Sequence, residues 1–185
     1  FAYSHKGLVR IAGGFIGALL RLNFEEVRTR LRVQLGLEKD PFDTFAYQIA
    51  LQKTYGLKPI YFFLSGNYGE HDKNIPLHEP VFRSIIKSIA DYAEVGIHPS
   101  YASNEEPGKL SEEMSDLSAV LNREITKSRQ HYLKLTIPDT YEHLLERDIQ
   151  EDYTMGYPSQ AGFRDGLASP FYFYNLHTEL PTTLR

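Results

Sequence analysis

The sequence predicts an α/β protein built around a parallel β-sheet. Segments with helical periodicity alternate with short apolar runs, and each unit of this alternation takes about 25 to 35 residues. The run at 58–64 is largely continuous in apolar and aromatic residues, as expected of a strand that is covered on both faces. Alternation of this kind implies right-handed βαβ crossovers and a sheet that is either open or closed as a barrel.

Two helices are predicted before this run. The first begins at Asn23, which stands three residues before Glu26 in a capping pattern, and ends at Gly36. The second begins at Asp40-Pro41 and ends at Gly56. Both therefore lie on the N-terminal side of the first strand.

The alternation continues through the rest of the chain. A third helix is predicted to begin at Glu79-Pro80 and to end at Gly96, after which a very short strand ends in His98. A further strand end falls within 125–135. The remaining predicted elements are helices at 111–121 and 138–147 and short strands at 149–154, 171–174 and 177–180.

Composition narrows the class of protein. The 185 residues are 42% hydrophobic and 24% charged, which is typical of a globular protein, and we predict a single domain over 1–185. The net charge of −4 without an extended basic cluster argues against nucleic acid as a partner. The chain has no cysteine, so any metal must be bound by histidines and carboxylates. Its apolar stretch at 11–20 is too short for a membrane span, which takes about 20 residues.

Polar residues cluster after four of the predicted strands. Active sites of α/β folds lie at the carboxyl ends of the strands, so these clusters are the candidate catalytic residues. Loops are polar in any protein, and periodicity alone does not distinguish catalytic residues from ordinary loop residues. The clusters occupy 68–74, 96–101, 129–132, and 152–154 together with 162–166.

Two histidines within these clusters are candidate metal ligands. His98 and His131 stand 33 residues apart, roughly one βα repeat, so their imidazoles could approach each other across adjacent strands. Each could equally be a structural histidine bonded to the backbone at a strand end. Arg129 and Arg164 are similarly either pocket residues or ordinary salt-bridging residues. The sequence contains no phosphate-binding loop, dinucleotide motif or Gly-x-Ser-x-Gly pattern.

In these clusters the sequence resembles the polysaccharide deacetylase family, in particular a bacterial branch of it. The resemblance rests on Gly-Ile-His-Pro-Ser-Tyr at 96–101, Arg-Gln-His-Tyr-Leu at 129–133 and Gly-Phe-Arg-Asp-Gly at 162–166. It extends over nearly the whole chain. It implies a distorted (β/α) barrel of about seven strands, and metal-dependent hydrolysis of N-acetyl or O-acetyl groups on a carbohydrate.

The resemblance also implies a set of site residues. The family holds a divalent metal, usually zinc, with one aspartate and two histidines, and a neighbouring aspartate activates water. His98 corresponds to the first histidine. The second normally follows four residues later, where this chain has Ala102, and we predict that His131 replaces it. Four further residues are predicted to shape the substrate pocket and to take part in catalysis: Arg129, Tyr132, Asp152 and Arg164.

One motif of the family is missing from the sequence. A strand that ends in paired aspartates would precede the segment 1–7, so we expect the chain to be a fragment that begins after the first barrel strand. The barrel would then be incomplete at its N-terminal strand. A non-catalytic carbohydrate-binding domain and a structural partner domain of the same fold stay open as alternatives. Localisation stays open as well, with the cytoplasm as our expectation.

Overall fold

The computed structural model describes residues 3–185, with Pro107 described for its backbone only, and Phe1 and Ala2 lie outside the described residues. The chain divides into two compact units, residues 1–58 and residues 59–185. None of the helices within the described part is both long and apolar enough to cross a lipid bilayer.

The first unit contains three helices: α1 (Leu8–Leu20), α2 (Phe24–Gln34) and α3 (Phe45–Tyr55). The predicted start of α2 is confirmed, because the Asn23 side chain accepts a hydrogen bond from the Glu26 N–H at 3.0 Å. The predicted end of α3 is also confirmed, since Gly56 closes it with a left-handed φ of 62°. The sequence did not predict α1, which starts after Gly7 without a side-chain cap and so lacks the usual start signal.

The second unit contains a four-stranded parallel sheet with strand order β1-β2-β3-β4. One helix follows each of the first three strands along the chain, so the predicted α/β class with a parallel sheet is confirmed. A two-stranded antiparallel hairpin follows β4. The strands are β1 (Ile60–Phe63), β2 (Glu94–Ile97), β3 (Lys127–Ser128), β4 (Glu151–Asp152), β5 (Tyr174–Asn175) and β6 (Leu180–Pro181). The helices are α4 (Pro80–Ala90), α5 (Pro107–Leu121) and α6 (Asp139–Leu145).

The boundary predicted at Gly96 is wrong. Helix α4 ends at Ala90, and Gly96 lies inside β2, where it pairs with Phe62 of β1. A Cβ atom at Gly96 would lie 2.6 Å from the Phe62 ring and 2.7 Å from the Lys127 carbonyl oxygen of β3. The glycine therefore allows three strands to pack closely and does not terminate a helix.

The buried side chains of this unit come from helices and strands together. The apolar face predicted for α4 is confirmed, since Ile86 and Ile89 are both buried, and α4 contacts both α5 and β2. Other fully buried residues are Ile97, Leu117, Leu144, Ile149 and Leu184.

The backbone of Arg185 pairs with the edge of β4 that faces away from β3. The Arg185 N–H donates to the Gln150 carbonyl at 3.0 Å, and the Arg185 carbonyl accepts from the Asp152 N–H at 2.7 Å. In a parallel ladder, the N–H and the carbonyl of one residue bond to the two residues that flank its partner on the neighbouring strand. The sheet thus continues past β4 by one residue, and β1 stands at its other edge.

Candidate functional site

The two candidate metal ligands lie at the carboxyl ends of neighbouring strands. His98 directly follows β2, and His131 follows β3 by three residues. Ile97 of β2 pairs with Ser128 of β3 in parallel register, so the segments that leave the two strands run side by side. The structure places the two imidazole centroids 4.9 Å apart.

His98 is held by the main chain of the adjacent strand. Its Nδ1 lies 2.5 Å from the carbonyl oxygen of Arg129. A carbonyl oxygen only accepts, so Nδ1 carries the proton and Nε2 keeps its lone pair. Burial lowers the pKa of the His98 imidazole below its ordinary value, which favours the neutral ring. His98 therefore presents an unprotonated Nε2.

His131 is held in the same tautomer by a carboxylate. Its Nδ1 lies 2.8 Å from Oδ1 of Asp72, which is only 4% exposed. A carboxylate only accepts, so Nδ1 carries the proton, and in the neutral ring the Nε2 of His131 keeps its lone pair. Sequence reasoning missed Asp72, although it lies in the polar cluster at 68–74 that follows β1. Its position after a strand end was the available signal.

A group of aromatic side chains, Tyr132, Tyr101 and His71, lies beside His131. The Tyr132 ring lies 4.6 Å from His131 and 5.6 Å from Tyr101, and His71 lies 4.3 Å from Tyr101. The Lys134 ammonium is 4.0 Å from the centre of the Tyr101 ring. Tyr132 is 59% exposed, so this aromatic group offers a ring face to solvent beside the histidine pair.

The backbone of Tyr132 is strained. Its φ of 59° lies in the left-handed region, where a residue with a bulky side chain is uncommon. Strain of this kind persists where the surrounding structure enforces it, and it clusters at functional sites. This left-handed turn directly follows His131 in the chain.

The loop after β2 is anchored by a buried glutamate. Glu113 of α5 accepts hydrogen bonds from the Ser100 N–H at 2.9 Å and from the Ser100 hydroxyl at 2.5 Å. The Pro99 carbonyl accepts from the His131 N–H at 3.2 Å. These bonds fix the segment that carries His98 against both α5 and the end of β3.

The two predicted arginines have different surroundings. The Arg129 carbonyl binds His98, and the positive charge of its side chain adds to the lowering of the His98 pKa. Arg164 is exposed and donates to the Leu133 carbonyl at 3.1 Å, two residues after His131. Arg164 thus supports the turn after β3 through the main chain.

Asp152 belongs to a separate hydrogen-bond cluster on β4. Its carboxylate accepts from the Ser128 hydroxyl at 2.6 Å and from the Thr154 hydroxyl at 2.9 Å. Burial raises the pKa of the Asp152 carboxyl above its ordinary value. Asp152 also lines a cavity of about 510 Å³ together with Tyr141, Phe163 and other largely apolar side chains. No contact between Asp152 and the histidine pair is seen among the described residues.

The histidine pair fits a metal ion in part. Two imidazoles bound to one tetrahedral zinc ion through Zn–N bonds of about 2.0–2.1 Å have centroids roughly 5 Å apart, close to the spacing seen here. A catalytic zinc site uses three protein ligands. Residues 3–185 contain no group of three or more His, Cys, Asp or Glu residues that could hold a metal ion. Within residues 3–185 the histidine pair is therefore short of the three ligands of such a site.

Comparison with protein-family models and with curated proteins finds no match for this chain.

Proposed function

We propose that this chain is a polysaccharide-deacetylase-like domain that hydrolyses N-acetyl or O-acetyl groups on a carbohydrate with the help of a divalent metal. The observation that carries the proposal is the histidine pair. His98 and His131 lie on adjacent parallel strand ends, each with Nδ1 occupied as a donor and Nε2 left as a ligand. Metal-binding histidines commonly donate their other ring N–H to a carboxylate or a main-chain carbonyl in this way.

In this proposal His98 and His131 hold the metal through Nε2. When bound, a divalent metal such as zinc lowers the pKa of a coordinated water and polarises the acetyl carbonyl. The resemblance assigns the third ligand and the general base to an aspartate motif that is missing from the sequence. The four parallel strands would then belong to the distorted barrel of about seven strands that the resemblance implies.

In this proposal Tyr132 contacts the carbohydrate, and the other predicted pocket residues support the strand ends around it. The exposed Tyr132 ring beside His131 offers an apolar face to a pyranose ring. The main-chain carbonyl of Arg129 holds the His98 ring, and the Arg164 side chain holds the main chain at Leu133. Asp152 of β4 accepts hydrogen bonds from Ser128 and Thr154 at the ends of two strands and lines the neighbouring cavity of about 510 Å³.

Zinc content and acetate release of the natural full-length protein test this proposal. We expect about one equivalent of zinc and acetate release from an acetylated glycan. Removal of a residue that only supports a metal ligand lowers metal affinity about 10- to 100-fold. His98→Ala and His131→Ala remove the ligands themselves, so each should lower zinc affinity by more than that. His78→Ala is the matched control, because its side chain is 81% exposed and the variant should keep both properties. Zinc binding that survives both site variants would contradict the proposal.

A non-catalytic carbohydrate-binding domain is the second candidate. Two observations favour it: the exposed aromatic group around Tyr132, and the absence of a group of three or more potential metal ligands within residues 3–185. Glycan binding that persists in the presence of a chelator, without any acetate release, would support this alternative over the hydrolase.

A further inference from the structure

Asp72 joins three separate loops through one carboxylate oxygen. Its Oδ1 accepts from the His131 Nδ1–H at 2.8 Å and from the Tyr101 N–H at 3.0 Å. Asp72 follows β1, Tyr101 follows β2 and His131 follows β3, so the oxygen connects the ends of three strands. The side chain is almost completely buried, which excludes water as a competing partner for these bonds.

The two histidines differ in what holds them. His98 donates to the main-chain carbonyl of Arg129, so its tautomer does not depend on any one side chain. The Nδ1–H of His131 instead meets a side-chain carboxylate from the loop after β1, a strand that is not adjacent to β3 in the sheet. The tautomer of His131 is therefore open to change by substitution of a single residue.

We propose that Asp72 is the positioning residue of the site. It keeps the proton of His131 on Nδ1, so that Nε2 faces its ligand unprotonated, and it holds the imidazole at a fixed angle beside Tyr101. A carboxylate in this place also makes the imidazole a stronger ligand. The consequence for metal affinity rests on the proposed function, whereas the consequence for the tautomer needs no metal.

Two variants and one control separate these consequences. Asp72→Ala removes the acceptor. Asp72→Asn keeps the size of the side chain and one acceptor oxygen but removes the charge. This second variant keeps the test informative if Asp72→Ala fails to fold. Glu105→Gln is the matched control, because it removes a negative charge paired with Lys134 at 2.9 Å and makes no hydrogen bond to His131.

The first readout is the His131 tautomer in the metal-free protein, from long-range ¹⁵N–¹H correlation spectra at about pH 8, where an ordinary histidine is neutral. We expect the Nδ1–H form in the wild type and in Glu105→Gln, and a mixture containing the Nε2–H form in Asp72→Ala. The second readout is the zinc dissociation constant, which should rise about 10- to 100-fold in both Asp72 variants and stay within about twofold in the control.

An Nε2–H tautomer of His131 in the wild type would overturn the inference. So would an unchanged tautomer in Asp72→Ala, or an unchanged zinc affinity in both Asp72 variants of a zinc-binding protein. A protein that binds no zinc but whose His131 tautomer follows Asp72 would support the inference and contradict the proposed metal function.

Discussion

The chemistry at the strand ends depends on which nitrogen of each imidazole carries the proton. His98 and His131 present the same tautomer, although one meets a main-chain carbonyl and the other a buried carboxylate. The sequence placed both histidines after strands, because strand ends can be recognised from the pattern around them. It did not single out Asp72, because no local pattern shows that the loop after β1 reaches across to a residue after β3.

Glu113 is the buried acid that supports the loop carrying His98. Burial raises the pKa of the Glu113 carboxyl, and the hydrogen bonds from Ser100 oppose that rise without cancelling it. The folded protein therefore binds this proton more tightly than the unfolded chain does. The contribution of Glu113 to stability is largest below the ordinary glutamate pKa and falls as the pH rises through the raised pKa.

Glu113→Gln should remove this pH dependence. As the pH rises from about 4.5, the usual glutamate value, the free energy of unfolding of the wild type should fall relative to that of the variant, because glutamine has no proton to release. Urea unfolding across this pH range measures the difference. Glu112→Gln is the matched control, since Glu112 is the exposed neighbour on the same helix. Parallel pH profiles for the wild type and Glu113→Gln would contradict the assignment.

At the scale of single elements, β2 shows why glycines are ambiguous in a sequence. Gly56 ends α3 with a left-handed backbone, as its position predicted. Gly96 looked like the same signal, but it lies inside a strand because the Phe62 ring and the Lys127 carbonyl leave no room for a Cβ atom. Only the neighbouring strands distinguish the two uses, and strands of two residues such as β3 leave little periodicity to read.

Gly96→Ala should destabilise the protein by about 1–3 kcal/mol, the usual range for overpacking, because the added methyl group must push β2 away from β1 or β3. Gly69→Ala is the matched control. Its Cβ would meet only the Asn67 carbonyl oxygen, at 4.0 Å, so its effect should stay within about 0.5 kcal/mol. Urea denaturation of the three proteins makes the comparison. Equal stability of Gly96→Ala and the wild type would show that β1 and β3 can separate at no cost.

At the scale of the whole molecule, the parallel sheet was the most predictable feature. Alternating strands and helices favour parallel pairing, because a helix returns the chain to the same end of the sheet, and all three strand pairs of β1-β2-β3-β4 are parallel. Closure into a barrel stays a prediction, since it depends on strands beyond these four. The division of the chain at Lys58 was not predicted, because α3 and β1 follow each other closely and no long polar linker marks the boundary.

The central claim is that one metal ion binds between the ends of β2 and β3. The most direct test is a zinc-bound crystal structure of the natural full-length protein, with the ion located by anomalous scattering. The account predicts a zinc ion about 2.0–2.1 Å from Nε2 of both His98 and His131, with Asp72 still bonded to Nδ1 of His131. A zinc ion more than about 4 Å from either Nε2 would contradict it, because no Zn–N bond could then form.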